Sequence, residues 1–438
     1  MARAKKETAL TPEERLQAAL VPDWEWPYKL PENWCWTYFK SISTIQTGKK
    51  DANYGSDEGK YPFFTCAAEP IRCHGYSFDC RAILLAGNGD INNISRYNGK
   101  FEAYQRTYVV KIAEPLCFDY IFYWFKYRWF DFNKGKMFGT AIPYIRLGNL
   151  QEFPTPIPPL AEQQRIVDRI ESLFTKLDEA KEKAQAVVDS FETCKAAILH
   201  KAFTGELTAK WREEHGVGME SWEKKTLSDV VAEFKYGTSE KSDYNNTGMP
   251  VLRIPNIGDN GIDLSDIKYL NHRNVDSESQ IHDGDILIIR SNGSRDLVGK
   301  AVLVPELGCE YAYASFLIRA KPNHSVINAH YLMIFLNSTN ARGQMFRRAK
   351  SSAGINNINT KELGAILLTV PSLPEQDEIV YIINEMMDKE QQAKEAAEAV
   401  LDQIDLMKKS ILARAFRGEL GTNDPNEESA VELLKRVL

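Results

Sequence analysis

The stretch from Leu160 to Leu207, LAEQQRIVDRIESLFTKLDEAKEKAQAVVDSFETCKAAILHKAFTGEL, occurs twice in this chain. A shift of about 213 positions lays it on Leu373 to Leu420, LPEQDEIVYIINEMMDKEQQAKEAAEAVLDQIDLMKKSILARAFRGEL, and leaves roughly 22 of about 48 positions identical without a gap. The chain therefore builds one kind of unit twice, and any fold assigned to it must contain two equivalent parts.

Each copy carries a helical stripe. In the first, Ile166, Ile170, Leu173, Leu177, Ala180, Ala184, Val187, Phe191, Cys194 and Ile198 follow one another in alternating steps of four and three. In the second the stripe is Ile379, Ile383, Met386, Ala393, Ala397, Val400, Ile404, Met407 and Ile411, with the polar Glu390 completing it. Such heptad spacing predicts a seam along which two helices wind round each other. Pro158 and Pro159 precede the first helix and Pro371 and Pro374 lead into the second, where a missing amide costs little. Gly205 and Gly418 are natural stops. A helix of roughly 35 to 45 residues is on the order of 50 to 65 Å long.

Around these helices the chain divides into seven segments. Residues 1–29 read as an N-terminal helical anchor, 30–158 as a first globular domain and 159–207 as the first spacer helix. A polar linker follows at 208–221, then a second globular domain at 222–371, the second spacer helix at 372–420, and a tail helix at 421–438 expected to pack near the N-terminus. Trp24, Trp26, Trp34 and Trp36 read as a packed anchor, since such rings bury large areas. In the first domain Arg81 to Ala86 is a buried strand ending in the turn Gly87-Asn88-Gly89, and Tyr108-Val-Val-Lys-Ile is another. The aromatic run from Tyr120 is expected to be a core helix. The second domain answers in kind. Trp222 matches Trp34, Gly237 matches Gly48, Asp283 to Gly293 lies on Asp79 to Gly89, and Tyr313 to Arg319 lies on the Tyr108 strand. At the exit Ile355, Ile358 and Leu363 match Ile142, Ile145 and Leu150. The two domains share a frame and differ in contents.

The expected class is α+β: two mixed α/β domains separated by two long helices that form an antiparallel coiled coil, with a pseudo-two-fold repeat. Two equivalent units joined by matched seams can close about a two-fold axis, which runs the helices antiparallel. No apolar run is long enough to cross a membrane, and the N-terminus lacks the apolar core of a secretory signal. With seven cysteines, an odd number, this predicts reduced thiols and a cytoplasmic location. Cys66, Cys73, His74 and Cys80 cluster, but their spacing matches no paired zinc frame and the second half has no counterpart.

The net charge of −6 looks wrong for a nucleic-acid binder until it is divided. Residues 30–158 come to roughly +3, 222–371 to roughly +1 and 372–420 to about −5, so the acid lies largely on the helices and a global value says little about a local face. Catalytic signatures are missing: no phosphate-binding GxxxxGK loop, no GxGxxG after a strand, no HExxH, no GxSxG and no base-methylation motif. Glu179-Ala180-Lys181 could end a nuclease signature, yet it lies on a spacer helix where paired charges are ordinary.

Both domains instead carry groups suited to reading DNA. Arginine takes guanine bidentately, asparagine takes adenine, and lysine and serine hold phosphates. In the first domain these are Lys49, Lys50, Asn88, Asn92, Asn93, Arg96, Lys100, Tyr104, Arg106 and Arg146. In the second they are Lys235, Lys241, Arg253, Asn256, Arg290, Asn292, Ser294, Arg295, Lys300, Arg347, Arg348, Lys350, Asn356 and Asn357. Any one of them could be a solvated surface residue or a turn former; their clustering near turns favours recognition.

The helix start Pro159-Leu-Ala-Glu-Gln163, repeated as Pro371-Ser-Leu-Pro-Glu-Gln376, together with the Gly-Glu-Leu helix ends, resembles the specificity subunit of type I restriction-modification enzymes. So do Gly284-Asp-Ile-Leu-Ile, Leu252-Arg-Ile-Pro-Asn-Ile257 and the closing GTNDPNEESAVELLKRVL. Ala161 departs from a common proline, and Glu390 interrupts the seam. The resemblance implies two target recognition domains, each reading half of a bipartite site in double-stranded DNA, with the helix pair setting the gap. It also implies two modification (methyltransferase) subunits that bring S-adenosylmethionine, further restriction and translocase subunits, and no cofactor or catalysis on this chain. Because the two domains differ, the two half-sites should differ. The rival readings are a two-domain protein-binding scaffold, and the recognition part of a single-chain restriction-methylation enzyme.

Overall fold

The computed structural model describes residues 10–245, 247–259, 261–272, 280–352 and 354–438. The chain begins with α1 (Pro12–Ala19), β1 (Cys35–Tyr38), β2 (Ser43–Thr47), β3 (Tyr61–Phe64), β4 (Ile71–Cys73), β5 (Phe78–Ala86), β6 (Ile94–Ala103) and β7 (Thr107–Ile112). Then come α2 (Phe118–Asn133), α3 (Leu147–Gln151), β8 (Pro154–Ile157), the long α4 (Leu160–Thr204) and α5 (Ala209–His215). The second half holds β9 (Glu223–Thr226), α6 (Leu227–Val230), β10 (Val231–Tyr236), β11 (Pro250–Leu252), β12 (Lys268–Tyr269), β13 (Ile286–Ile289), β14 (Ser291–Asn292), β15 (Ala301–Leu303), β16 (Ala312–Tyr313) and β17 (Leu317–Pro322). It closes with α7 (Ala329–Asn337), α8 (Thr339–Arg348), β18 (Lys350–Ser352), β19 (Ile355–Asn357), α9 (Thr360–Gly364), β20 (Leu367–Val370), the long α10 (Leu373–Ala415) and α11 (Ala430–Val437).

These elements form two compact units, Met1–Ala184 with Ala399–Leu438, and Gln185–Glu398. In the first, a six-stranded sheet runs in the order β2-β7-β5-β6-β3-β4. Tyr120, Ile121, Trp124 and Phe125 recur at helical spacing on α2 and bury one aromatic face. They share a core with Trp36, Phe39, Val110, Phe153, Ile166 and Ile170, and with Leu412 and Phe416 from the end of α10. The tail packs as expected: Arg15 Nη1 donates to the Leu438 carbonyl at 3.2 Å, and Asn33 Nδ2 to the Asp424 carbonyl at 3.0 Å. The tryptophan anchor needs correction. Trp34 and Trp36 are buried, but Trp24 is 84% exposed and Trp26 is 40% exposed. The ring of Trp24 has prolines and acids for neighbours in sequence, not the alternation that turns a strand residue inward.

The second unit repeats the frame with shorter strands. Its main sheet is β10-β17-β13-β15, with β12-β11-β16, β14-β19-β18 and β20-β9 beside it. The parallel pair of β3 with β6, Phe64 opposite Ala103, returns as β11 with β16, Leu252 opposite Tyr313. Tyr313 thus ends β16, and the strand that answers β7 is β17: Ile289 pairs with Leu317 as Ala86 pairs with Thr107. The expected match of Tyr313 to Tyr108 slips because both segments have the same hydrophobic alternation.

The starts of the long helices are docked in the same way. Gln163 Nε2 donates to the Pro158 carbonyl and its Oε1 accepts from Cys117 N; Gln376 Nε2 donates to the Pro371 carbonyl and its Oε1 accepts from Asn328 N. Trp34 Nε1 donates to Glu162 at 2.8 Å and Trp222 Nε1 to Glu375 at 3.0 Å. Buried polar groups this close-knit fix the helix entry, since each would be costly if left unmade.

Within each unit the start of one long helix lies against the end of the other, so they run antiparallel: Ile166 and Ile170 with Leu412 and Phe416 in the first, Ile198 and Ala202 with Ile379 and Ile383 in the second. On α4, Leu173, Leu177 and Phe191 are half-buried on the predicted stripe, but Val187 is exposed and Val188 takes its place. On α10, Ile379, Ile383, Ala397 and Ile404 are buried, whereas Met386, Val400 and Met407 are exposed. Met387, Leu401 and Lys408 are half-buried instead. The positions three and four residues past each buried anchor flank it on either side, and the partner helix decides which flank is covered. Two lysines complete the covered face: Lys394 Nζ lies 4.8 Å from the Phe191 ring, and Lys408 Nζ lies 5.2 Å from the Phe174 ring and 2.5 Å from Asp178.

Candidate nucleic-acid interface

Four chain reversals meet at one end of each main sheet. In the first unit they follow β2, follow β5, precede β7, and form the hairpin-like loop from Phe138 to Tyr144. Backbone bonds tie them together: Gly48 N donates to Thr107 O, Gly87 N to Arg106 O, Ile145 N to Gly87 O and Gly89 N to Pro143 O. In the second unit Thr238 N donates to Tyr313 O, Arg290 N to Phe316 O and Ile358 N to Arg290 O. The glycine at the first reversal is required by contact. A Cβ on Gly48 would stand 1.8 Å from Ala103 O, and one on Gly237 would stand 2.1 Å from Tyr313 O. The frame is the same; the side chains it presents are not.

In the first unit this surface carries Lys49 and Lys50, Asn88 and Asn92, Arg106 and Arg146. Lys50 Nζ sits 4.4 Å from the Tyr54 ring. The Arg146 guanidinium lies 3.9 Å from the Phe138 ring and donates to Tyr144 Oη at 3.3 Å. Asn93 is used inside the surface, its Nδ2 holding the Cys66 carbonyl. In the second unit Arg290 lies 4.3 Å from the Tyr236 ring and 3.4 Å from Asn357 Oδ1. Asn292 pairs with Asn356 and Ser291 with Asn357 across β14 and β19. Ser294 and Arg347 are exposed, as are Lys241 and Lys350. Arg295 lies 5.4 Å from the Phe346 ring. Lys235 lies in β10 opposite Arg319. An arginine steadied over an aromatic ring keeps its planar fork presented at low entropic cost, which suits a base edge or a phosphate.

Several predicted residues are committed elsewhere. Asn256 is 1% exposed and spends its amide on the Asp263 and Asp266 carbonyls, so it holds a turn and faces no groove. Arg253 pairs with Asp266 at 3.0 Å and Lys300 with Asp259 at 2.7 Å. Arg348 donates to the carbonyls of Gln344 and Ala365. Arg96 lies on β6 against α2, over the Phe122 ring, ion-paired with Asp119 and 4.0 Å from Glu171. Lys100 lies 4.7 Å from the Tyr76 ring, opposite Asp79 near the far end of the β5-β6 ladder. Asparagine at a turn and arginine beside a carboxylate satisfy local chemistry first. Conversely, Phe138, Tyr144, Tyr236 and Phe316 stand on or beside the surface without having been singled out; Tyr144, two places before Arg146, carried a signal in the sequence, and the other three have no arginine within two places.

Among the described residues no group of three or more His, Cys, Asp and Glu side chains is placed to hold a metal. No helix among them is long and apolar enough to cross a membrane.

A paired-unit protein with two long antiparallel helices, each unit presenting an unlike set of arginine, asparagine and aromatic side chains on one shared frame, is a member of a known class. The chain belongs to the type I restriction modification DNA specificity domain family, whose sequence model matches residues 31–188 and again 219–399. Among its relatives, the type I restriction enzyme EcoDI specificity subunit of Escherichia coli is 28% identical, with 93% of this chain and 95% of that protein covered. The EcoKI specificity subunit of E. coli strain K12 is 29% identical over 68% of this chain and 66% of its own length. In fold, the chain matches the crystal structure of the HsdS subunit from Thermoanaerobacter tengcongensis with a TM-score of 0.63 at 19% identity, covering 90% of this chain and 100% of that one.

Proposed function

We propose that this chain is the sequence-reading subunit of a type I restriction-modification complex, binding a bipartite, asymmetric site in double-stranded DNA with one recognition domain per half-site. The observation that carries the reading is the pair of equivalent loop frames that present different side chains: Phe138, Tyr144 and Arg146 on one, Tyr236, Arg290, Asn356 and Asn357 on the other. A true two-fold dimer would read a palindrome; unlike surfaces on like frames read unlike half-sites.

The chain itself supplies recognition and docking, not chemistry. Two modification subunits carry S-adenosylmethionine and the methylating site, restriction and translocase subunits join them, and the complex works in the cytoplasm. The long helices act as spacer and dock, so their length sets the interval between the half-sites. The test is a hydroxyl-radical footprint of the assembled complex on DNA selected from a random duplex pool. Two protected tracts of different sequence, separated by an indifferent gap, are expected. One contiguous tract overturns the two-reader model, and the absence of sequence-selective, salt-dependent binding replaces it with the protein scaffold.

A further inference from the structure

Among the exposed large apolar side chains are Ile142, 62% exposed, and Ile355, 51% exposed. They stand at the same place in the repeat, about 213 positions apart like the long helices. In each copy another isoleucine follows three residues later, and those two, Ile145 and Ile358, are buried. Ile142 lies in the loop closed by the Phe138–Tyr144 bridge and Ile355 at the start of β19, so different local backbones leave an isoleucine exposed at the same place in the repeat.

The anchoring agrees. The residue after each exposed isoleucine is held by the turn beyond the central strand: Gly89 N donates to the Pro143 carbonyl, and Asn356 Nδ2 donates to the Gly293 carbonyl at 3.2 Å. The residue two further on touches an arginine, Tyr144 with Arg146 and Asn357 with Arg290. In the second unit Arg290, Lys350, Ile355 and Asn357 line one open hollow of about 400 Å³. Between these positions the side chains diverge, proline and tyrosine in one copy against two asparagines in the other. What both copies retain is an exposed isoleucine two residues before a side chain that touches an arginine.

Resting on the function proposed above, we propose that Ile142 and Ile355 are base-contacting residues, one in each half-site, each packing on the 5-methyl group of a thymine in the major groove. That methyl is the apolar group a base edge offers there. Cytosine lacks that methyl, so an aliphatic branch that packs on it favours thymine.

The test uses the assembled complex and its selected duplex, with each thymine replaced in turn by uracil, which removes the methyl and keeps the pairing. Wild type should lose affinity about fourfold at one thymine in each half-site, the worth of roughly one buried methylene. Ile142→Ala should show the same loss on the thymine duplex and no further loss on uracil at its position in one half, and Ile355→Ala the same in the other. Ile142→Val and Ile355→Val should recover most of the affinity, and the melting temperatures should stay at the wild-type value because both side chains are exposed. Losses that add, variants that bind like wild type, or a half-site without thymine overturn the assignment while leaving the reading function intact. A wild-type complex with no sequence selectivity removes that function, and this assignment with it.

Discussion

The two units differ most instructively where the long helices begin. In the first, Glu162 is buried with hydrogen bonds from Trp34 Nε1 and Thr422 Oγ1, and Arg165 nearby spends its guanidinium on Glu427 and the Thr422 carbonyl. In the second, Glu375 has the matching bonds from Trp222 Nε1 and Thr208 Oγ1, but Arg212 also reaches it at 2.6 Å, both side chains nearly free of solvent. One frame therefore tolerates two electrostatic solutions, a carboxyl held by neutral donors and a buried ion pair. The loops at the end of each main sheet follow the same rule, with backbone bonds retained and side chains exchanged. The residues that shape the repeat are those whose loss would orphan a buried group, and the remainder are free to diverge.

That contrast can be broken in order of size. Glu375→Gln strands the buried Arg212 charge, and about 3 kcal/mol of stability should go; Glu162→Gln should cost less than about 1 kcal/mol, because Gln still accepts from Trp34 or Thr422. Equal losses in chemical denaturation would mean that Arg212 is not the difference. A smaller effect lies in pH. Burial raises the Glu162 carboxyl above its ordinary range, against the opposing pull of Trp34, Thr422 and Arg165. A raised carboxyl contributes stability that is full below its unfolded value and lost as pH climbs through its folded one. Wild type should therefore lose stability relative to Glu162→Gln as pH rises above the ordinary carboxylate range; a flat difference, or one of opposite slope, contradicts that burial.

Much of this architecture was legible in the chain. The gapless repeat, the prolines ahead of each helix and the aromatic helix from Tyr120 are local patterns with one physical solution, and all stand where expected. The covered flank of α10 was not legible, because Met386 and Met387, or Met407 and Lys408, satisfy a heptad equally well until a partner covers one of them. Lys408 illustrates why: its stem covers apolar surface while its ammonium reaches Asp178 and the Phe174 ring. The turn at Gly87-Asn88-Gly89 stands after β5 where the chain reversals meet, since turn chemistry is local. Residue type alone could not separate Asn256, which holds its own loop, from Asn356, which pairs across β14 and β19. Nor could it place Arg96 against α2 rather than at the turn.

The central claim is that each unit reads its own half of the DNA site. It is tested most directly by selecting bound sequences from a random duplex pool with the wild-type complex, with Arg146→Lys and with Arg290→Lys. Lysine keeps the charge and gives up the planar fork. Arg146→Lys should relax base preference in one half-site and leave the other unchanged, and Arg290→Lys should do the reverse, each by a discrimination of about 1 to 3 kcal/mol at the affected position. A variant that alters both halves alike, or two variants that relax the same half, would contradict the claim.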